Sequence, residues 1–146
     1  MSSAEHYENL ETIDDSLVKI KEEIGRVYKI KDLKYLGKKL NVGIGKDGTT
    51  RNTVSDIYFV IDDSPLEAYS LQESEVYALC KCDIDELLKV NSTTNYSFSV
   101  KALRSNGDYI DIVVKKDSFP DNYDNYHFKI AQLAKRFISG EKELLY

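Results

Sequence analysis

Glu22 and Glu23 stand side by side near the end of a carboxylate-rich segment, residues 5–25, and are followed by Ile24 and Gly25. Adjacent acids at a helix end can gather a divalent cation, because hard cations such as Mg²⁺ take carboxylate oxygens. A glycine placed just past the last helical residue lets the chain turn away at that point. The same pattern also suits a solvated helix end, where paired glutamates face water. Other metal chemistry has few candidate ligands. The two histidines, His6 and His127, lie far apart in the sequence, and the two cysteines, Cys80 and Cys82, are separated by one residue. On a strand such neighbours point to opposite faces and pair poorly. They read as free thiols of a reducing cytoplasm, and a zinc site would need more ligands nearby.

The elements that must position these groups follow from local patterns. Thr12 is a candidate N-cap, with Asp15 three residues later as a near capping box. Ile13, Leu17, Ile20 and Ile24 recur at helical spacing and define one apolar face. Leu33 to Ile44 reads as a strand, with Leu40, Val42 and Ile44 alternating against polar or small residues. Lys46-Asp47-Gly48 signals a turn. Val54 to Ile61 reads as a second strand, buried on both faces across Ile57-Tyr58-Phe59-Val60-Ile61. Asp62-Asp63-Ser64-Pro65 breaks it. A short strand is expected near Val76 to Cys80, then a short helix capped by Asp83 and running through Leu88. Residues 91–95 read as a loop. Asn106-Gly107 marks a hairpin between Phe98-Ser-Val-Lys-Ala and Ile110-Asp-Ile-Val-Val. Tyr126, Ile130, Leu133, Ala134 and Phe137 define a last amphipathic helix closed by Gly140. This order of helices and strands is that of an α+β domain.

Composition narrows the class. The chain has 146 residues, 42% of them hydrophobic, a length and content that suit one domain with one core. Its formal net charge of −5 argues against nonspecific binding to nucleic acid or a membrane surface. No apolar run reaches the length of a membrane span. The polar, acidic N-terminal stretch does not resemble a signal peptide, and a cytoplasmic location is expected.

The opening segment resembles the Nudix box of the Nudix hydrolases, a loop–helix–loop motif. The stretch Ile20-Lys21-Glu22-Glu23-Ile24-Gly25 matches its closing U-x-E-E-x-G, where U is aliphatic. Glu5-His6-Tyr7-Glu8-Asn9-Leu10-Glu11-Thr12 looks like a worn version of its opening: His6, Glu11 and Thr12 match, while Glu5 and Leu10 stand where glycines are expected. Between them the pattern is broken. Aligned from both ends the chain is one residue short and the R-E dipeptide collapses onto Lys19; aligned from the C-terminal end, Val18 and Lys19 replace it; either way the first glutamate of the metal-binding trio is missing. Downstream, Asp32-Leu-Lys-Tyr-Leu-Gly, Asp56-Ile-Tyr-Phe-Val, Pro65-Leu-Glu, Leu71-Gln-Glu-Ser-Glu-Val and Asp124-Asn-Tyr-His-Phe-Lys-Ile-Ala look like a branch of the family that resembles isopentenyl-diphosphate isomerase.

The resemblance implies a Nudix-like α/β/α sandwich with a mixed sheet. Residues 1–146 would form a single, partial domain lacking the strands that usually precede the box. A sheet edge or core face should then be uncovered, and a homodimer is one way to cover it. The implied activity is Mg²⁺-dependent hydrolysis of a nucleoside diphosphate linked to another moiety, with Mn²⁺ as an alternative ion. The implied ligands are Glu22 and Glu23, with Glu11 as an outer ligand or an orienter of the pair. Glu23 is also a candidate catalytic group. Glu75, or Glu73, is the candidate general base from a downstream loop. Lys19 should weaken metal binding, since an ammonium there pairs with Glu22 and repels the cation. An impaired hydrolase, a catalytically silent binding protein of the same fold, and a fragment of a hydrolase are therefore all compatible with the residues. Arg51 suits either a phosphate contact or a surface hairpin charge. Tyr123 and Tyr126 suit either base stacking or packing of the last helix.

Overall fold

The computed structural model describes residues 12–44, 46–120 and 124–146, with only the backbone of Arg51. His6, Glu11 and Tyr123 lie outside these residues. The first element is helix α1, Ile13–Ile24. Its start is the expected capping box: the Thr12 N–H donates to Asp15 Oδ2 at 2.9 Å, and the Asp15 N–H donates to Thr12 Oγ1 at 3.2 Å. The Thr12 bonds hold the Asp15 carboxyl below its usual range, and the charge of Lys19 one turn on adds to this.

Two long strands follow, β1 at Leu33–Ile44 and β2 at Thr50–Val60, paired antiparallel from Leu33↔Val60 to Ile44↔Thr50. A bulge lies between Tyr35 and Gly37. It shifts which side chains face inward. Leu36, Gly37 and Lys39 turn toward the protein, while Leu40 and Ile44 are 60% and 75% exposed. The alternating apolar residues of β1 thus mark the strand correctly but lie on its open face. Gly37 itself sits at φ +133°, and an added Cβ would lie 3.2 Å from Leu145 Cδ1. That closeness comes from the C-terminal tail, where the Tyr146 N–H donates to the Leu36 carbonyl at 2.8 Å.

Strand β2 is buried on one face only, contrary to the sequence expectation. Ile57 is buried and Phe59 half-buried, while Val54, Asp56 and Tyr58 on the opposite face are exposed and only Val60 at its end is half-buried.

The second sheet holds β3, Ala78–Cys80, β4, Ser97–Arg104, and β5, Tyr109–Lys115, in the order β3-β4-β5. The β4–β5 turn is the expected Asn106-Gly107 hairpin, with Gly107 at φ +87°. Helix α2, Ile84–Ser92, is capped by Asp83, whose Oδ1 accepts the Asp85 and Glu86 N–H groups. It runs one turn past the expected end. Val90 is fully buried there, and the side chains of Asn91 and Ser92 bond back to the Leu87 and Leu88 carbonyls. Helix α3, Tyr126–Ile138, packs against α2 and carries the buried Ala131 and Leu133. The α+β class and its Nudix-like combination of helices and sheets are present. Among the described residues, however, the expected mixed sheet is replaced by two antiparallel sheets.

The core cluster joins β1, β2, α3 and the tail through Leu36, Ile57, Leu133 and Leu144. Phe59 and Phe137 extend it, their ring centroids 5.7 Å apart. Leu36 is only 1% exposed. Leu36→Ala is expected to lower the unfolding free energy by about 2–5 kcal/mol, the usual cost of emptying a packed leucine site. Urea unfolding reads this as a lower midpoint at unchanged slope; a midpoint equal to wild type would show that this cluster does not hold the domain together.

Candidate functional site

The carboxylate pair lies in the last turn of α1. Glu22 is exposed and Glu23 half-buried. Gly25 closes the helix in the left-handed region at φ +69°, with its N–H donating to the Lys21 carbonyl at 3.0 Å. The chain end of this helix is stitched to a distant loop. The Ser70 N–H donates to the Ile24 carbonyl at 3.0 Å, and the Gln72 N–H donates to the Glu23 carbonyl at 2.8 Å. A Cβ at Gly25 would lie 2.7 Å from Ser70 Cβ and 3.0 Å from Ser70 N. Gly25 is therefore fixed both by backbone angle and by the closeness of this loop.

The stitched loop is the one that carries Glu73 and Glu75. It turns on Gln72, whose carbonyl accepts the N–H groups of Glu75 and Val76 at 2.9 and 2.8 Å. Both acids are exposed. The structure thus brings the Glu22-Glu23 helix end and the Glu75 loop together through their backbones. Among the described residues, no group of three or more His, Cys, Asp or Glu side chains converges on a point that could hold a metal. The chemistry of the pair nevertheless suits Mg²⁺, which is commonly held by one or two carboxylates with waters and substrate phosphates completing its shell.

A polar hub behind the helix end escaped the sequence analysis. Arg26 Nε donates to Asp62 Oδ2 at 2.9 Å, and its Nη2 donates to Ser64 Oγ at 2.7 Å. The Tyr28 hydroxyl donates to Asp62 Oδ2 at 2.6 Å, and the Ser64 N–H donates to Asp62 Oδ1 at 2.9 Å. The Arg26 guanidinium also lies 5.3 Å from the Tyr69 ring centroid. Bonds from Ser64 and Tyr28, and then from Arg26, hold the Asp62 carboxyl far below its ordinary range. Burial, together with the bond to Asp62, raises the Tyr28 hydroxyl. The signal was present in the sequence as Asp62-Asp63-Ser64, but it read only as a strand breaker.

A cavity of about 540 Å³ runs along the apolar face of α1, between Ile13, Leu17 and Ile20 on one side and Ile57 to Val60 of β2 on the other. Neither glutamate of the pair lines it. Its charged groups are Lys38 and Asp56, which bond to each other at 2.8 Å. Tyr126 lines its end but also packs on the core, with its ring 4.8 Å from the Lys39 ammonium. Tyr126 thus both packs on the core and borders the cavity.

Comparisons with known proteins give the family. The chain is 30% identical over 143 residues to an uncharacterized Nudix hydrolase of Clostridium acetobutylicum. The match takes in 91% of this chain and 66% of that protein. The chain belongs to the Nudix superfamily, and it spans about two thirds of that relative's length. No family model matches the chain, and no solved structure matches it. Among the described residues, no helix is long and apolar enough to cross a membrane.

Two outcomes follow from this geometry. Gly25→Ala is expected to cost about 1–3 kcal/mol from the left-handed backbone alone, with the Ser70 contact adding to it. Chemical denaturation checks the loss, and unchanged stability would mean the helix end and loop are not fastened here. The Asp62 carboxyl is lowered in the fold, so its contribution is complete above the unfolded value near 4 and is lost as pH falls through the depressed folded value. Asp62→Asn should cost about 1.5–3 kcal/mol at pH 7, the scale of hydrogen bonds to a charged group. The gap between variant and wild type should narrow as pH drops below about 4. A gap that stays constant to acid pH would contradict the role assigned to the ionised carboxylate.

Proposed function

We propose that this chain is the catalytic region of a Nudix-type hydrolase with a weakened metal centre, acting on a nucleoside diphosphate linked to another moiety. The observation that carries this reading is the pair of backbone bonds from Ser70 and Gln72 to the end of α1. They join the helix that bears the carboxylates to the loop that bears the candidate base. Family membership supports use of a divalent cation. When bound, Mg²⁺ or Mn²⁺ neutralises the diphosphate and lowers the pKa of its water.

The chain's own residues have separate tasks in this account. Glu22 and Glu23 would supply hard oxygens to the cation, Glu23 being the more buried of the two. Glu75 takes a proton from the attacking water. The backbone bond at Gln72 fixes where its loop sits relative to Glu23. Glu11 is assigned as an outer ligand and lies outside the described residues. Lys19 occupies the helix position one turn before the pair, where a carboxylate would complete the ligand set. Its positive charge opposes cation binding, so affinity and turnover are both reduced.

The alternative is a Nudix-fold protein that binds a diphosphate compound without cleaving it. Lys19 and the two-carboxylate set favour it. Release of phosphate-containing products from a panel of nucleoside diphosphate sugars, with and without Mg²⁺, separates the two. The expected result is slow, metal-dependent turnover that Glu23→Gln abolishes. Lys19→Glu is expected to tighten Mn²⁺ binding about tenfold, equivalent to ~1.4 kcal/mol. Turnover that is absent at every metal concentration, in wild type and in Lys19→Glu alike, would replace the hydrolase reading with the binding one.

A further inference from the structure

Cys80 and Cys82 were expected to point apart. Their sulfurs instead lie 3.7 Å from each other. Strand β3 ends at Cys80, so the alternation of a strand does not reach Cys82. The chain turns there toward the Asp83 cap of α2. Both cysteines are free thiols, and both are half-buried.

Each side of the pair is anchored. Cys80 is held in the sheet opposite Ala102 of β4. Cys82 is followed directly by Asp83, whose carboxylate accepts the Asp85 and Glu86 N–H groups at 2.8 and 3.1 Å. The intervening Lys81 reaches elsewhere, donating from Nζ to the Ser64 carbonyl at 2.6 Å. The two thiols are therefore neighbours in space because of the backbone on either side. A disulfide needs the sulfurs near 2.05 Å, a closing of about 1.7 Å from the observed separation, which side-chain rotation can supply.

We propose that Cys80 and Cys82 form a redox dithiol that closes to an intramolecular disulfide by exchange with a small-molecule disulfide. The Cys80 thiolate attacks one sulfur of the small disulfide, forms a mixed disulfide and expels a small thiolate. Cys82 then gives up its proton to that thiolate and attacks Cys80 Sγ. The second small thiolate leaves and takes up from solvent the proton that Cys80 released on ionising. The protein loses two electrons and two protons, and the small disulfide gains both to become two thiols. The order of attack follows from the surroundings. Burial and the adjacent Cys80 sulfur push the Cys82 thiol up to about 12, so it stays protonated until the mixed disulfide is beside it. A ring closed across one intervening residue is strained, and strained disulfides are readily reduced, so the modification is reversible.

The test uses the full reduced chain at neutral pH with oxidised glutathione, quenched with acid and then alkylated with iodoacetamide. Intact-mass measurement should show wild type lighter by two hydrogens, carrying neither glutathione nor alkyl groups. It should remain a monomer on a non-reducing gel, and dithiothreitol should restore both thiols. Cys82→Ser should hold one glutathione on Cys80, and Cys80→Ser one on Cys82, neither variant closing a disulfide. The proposal is overturned if wild type accumulates glutathione adducts or disulfide-linked dimers. Two alkylatable thiols in wild type, under conditions that fully modify Cys82→Ser, would overturn it equally.

Discussion

The turn at Gly25 is the constraint on which the site depends. A helix end normally leaves several carbonyls without partners. Here two of them, from Glu23 and Ile24, accept N–H groups from Gln72 and Ser70. The partners come from a segment more than forty residues further along the chain, so one local satisfaction of backbone polarity becomes a tertiary joint. Close approach of Ser70 is compatible with glycine and not with a larger residue, because the place of a Cβ is already taken. The carboxylate pair and the acidic loop are thus fixed relative to each other before any cation or substrate arrives, and this reduces the ordering cost of assembling them.

The Arg26–Asp62 hub extends the same joint. Arg26 follows Gly25 directly, and Asp62 follows the end of β2. Their pairing ties the helix exit to the sheet, while Ser64, bound to both, passes the connection to Lys81 through its carbonyl. An ion pair this sheltered is stable only with its remaining lone pairs satisfied, and Tyr28 and the Ser64 N–H satisfy them. The network therefore links the helix exit behind the candidate site to the end of β2. By contrast, the outer half of the β1–β2 hairpin leaves Leu40, Val42, Ile44 and Val54 exposed.

What the sequence revealed and what it hid divide along the range of the interactions. Local chemistry was legible: the Thr12–Asp15 capping box, the Gly25 stop, the Asp83 cap and the Asn106-Gly107 hairpin each depend on residues within a few positions of one another. Facing was not. Leu40, Val42 and Ile44 alternate properly, yet the bulge before Gly37 turns them outward, and a bulge has no signal in hydrophobic period alone. The end of α2 was hidden because Asn91 and Ser92 are turn formers whose side chains here bond back into the helix. Cys80 and Cys82 come together because a strand ends between them. Of the candidate site, Glu22, Glu23 and the acidic loop were proposed from their resemblance to a motif, and the backbone bonds that join helix end to loop had no signal in the sequence. The Arg26–Tyr28–Asp62–Ser64 hub links residues dozens of positions apart, and only its Asp62-Asp63-Ser64 portion stood out in the sequence, as a strand breaker.

The proposed site rests on a two-carboxylate centre held against a distant loop. That claim is tested most directly by paramagnetic relaxation from dilute Mn²⁺ in a two-dimensional amide NMR spectrum of the labelled chain. The account predicts selective broadening of the amides of Lys21 to Gly25 together with those of Ser70 to Glu75, and its loss in Glu23→Gln. Broadening centred elsewhere, or confined to the helix end with the loop untouched, would contradict it.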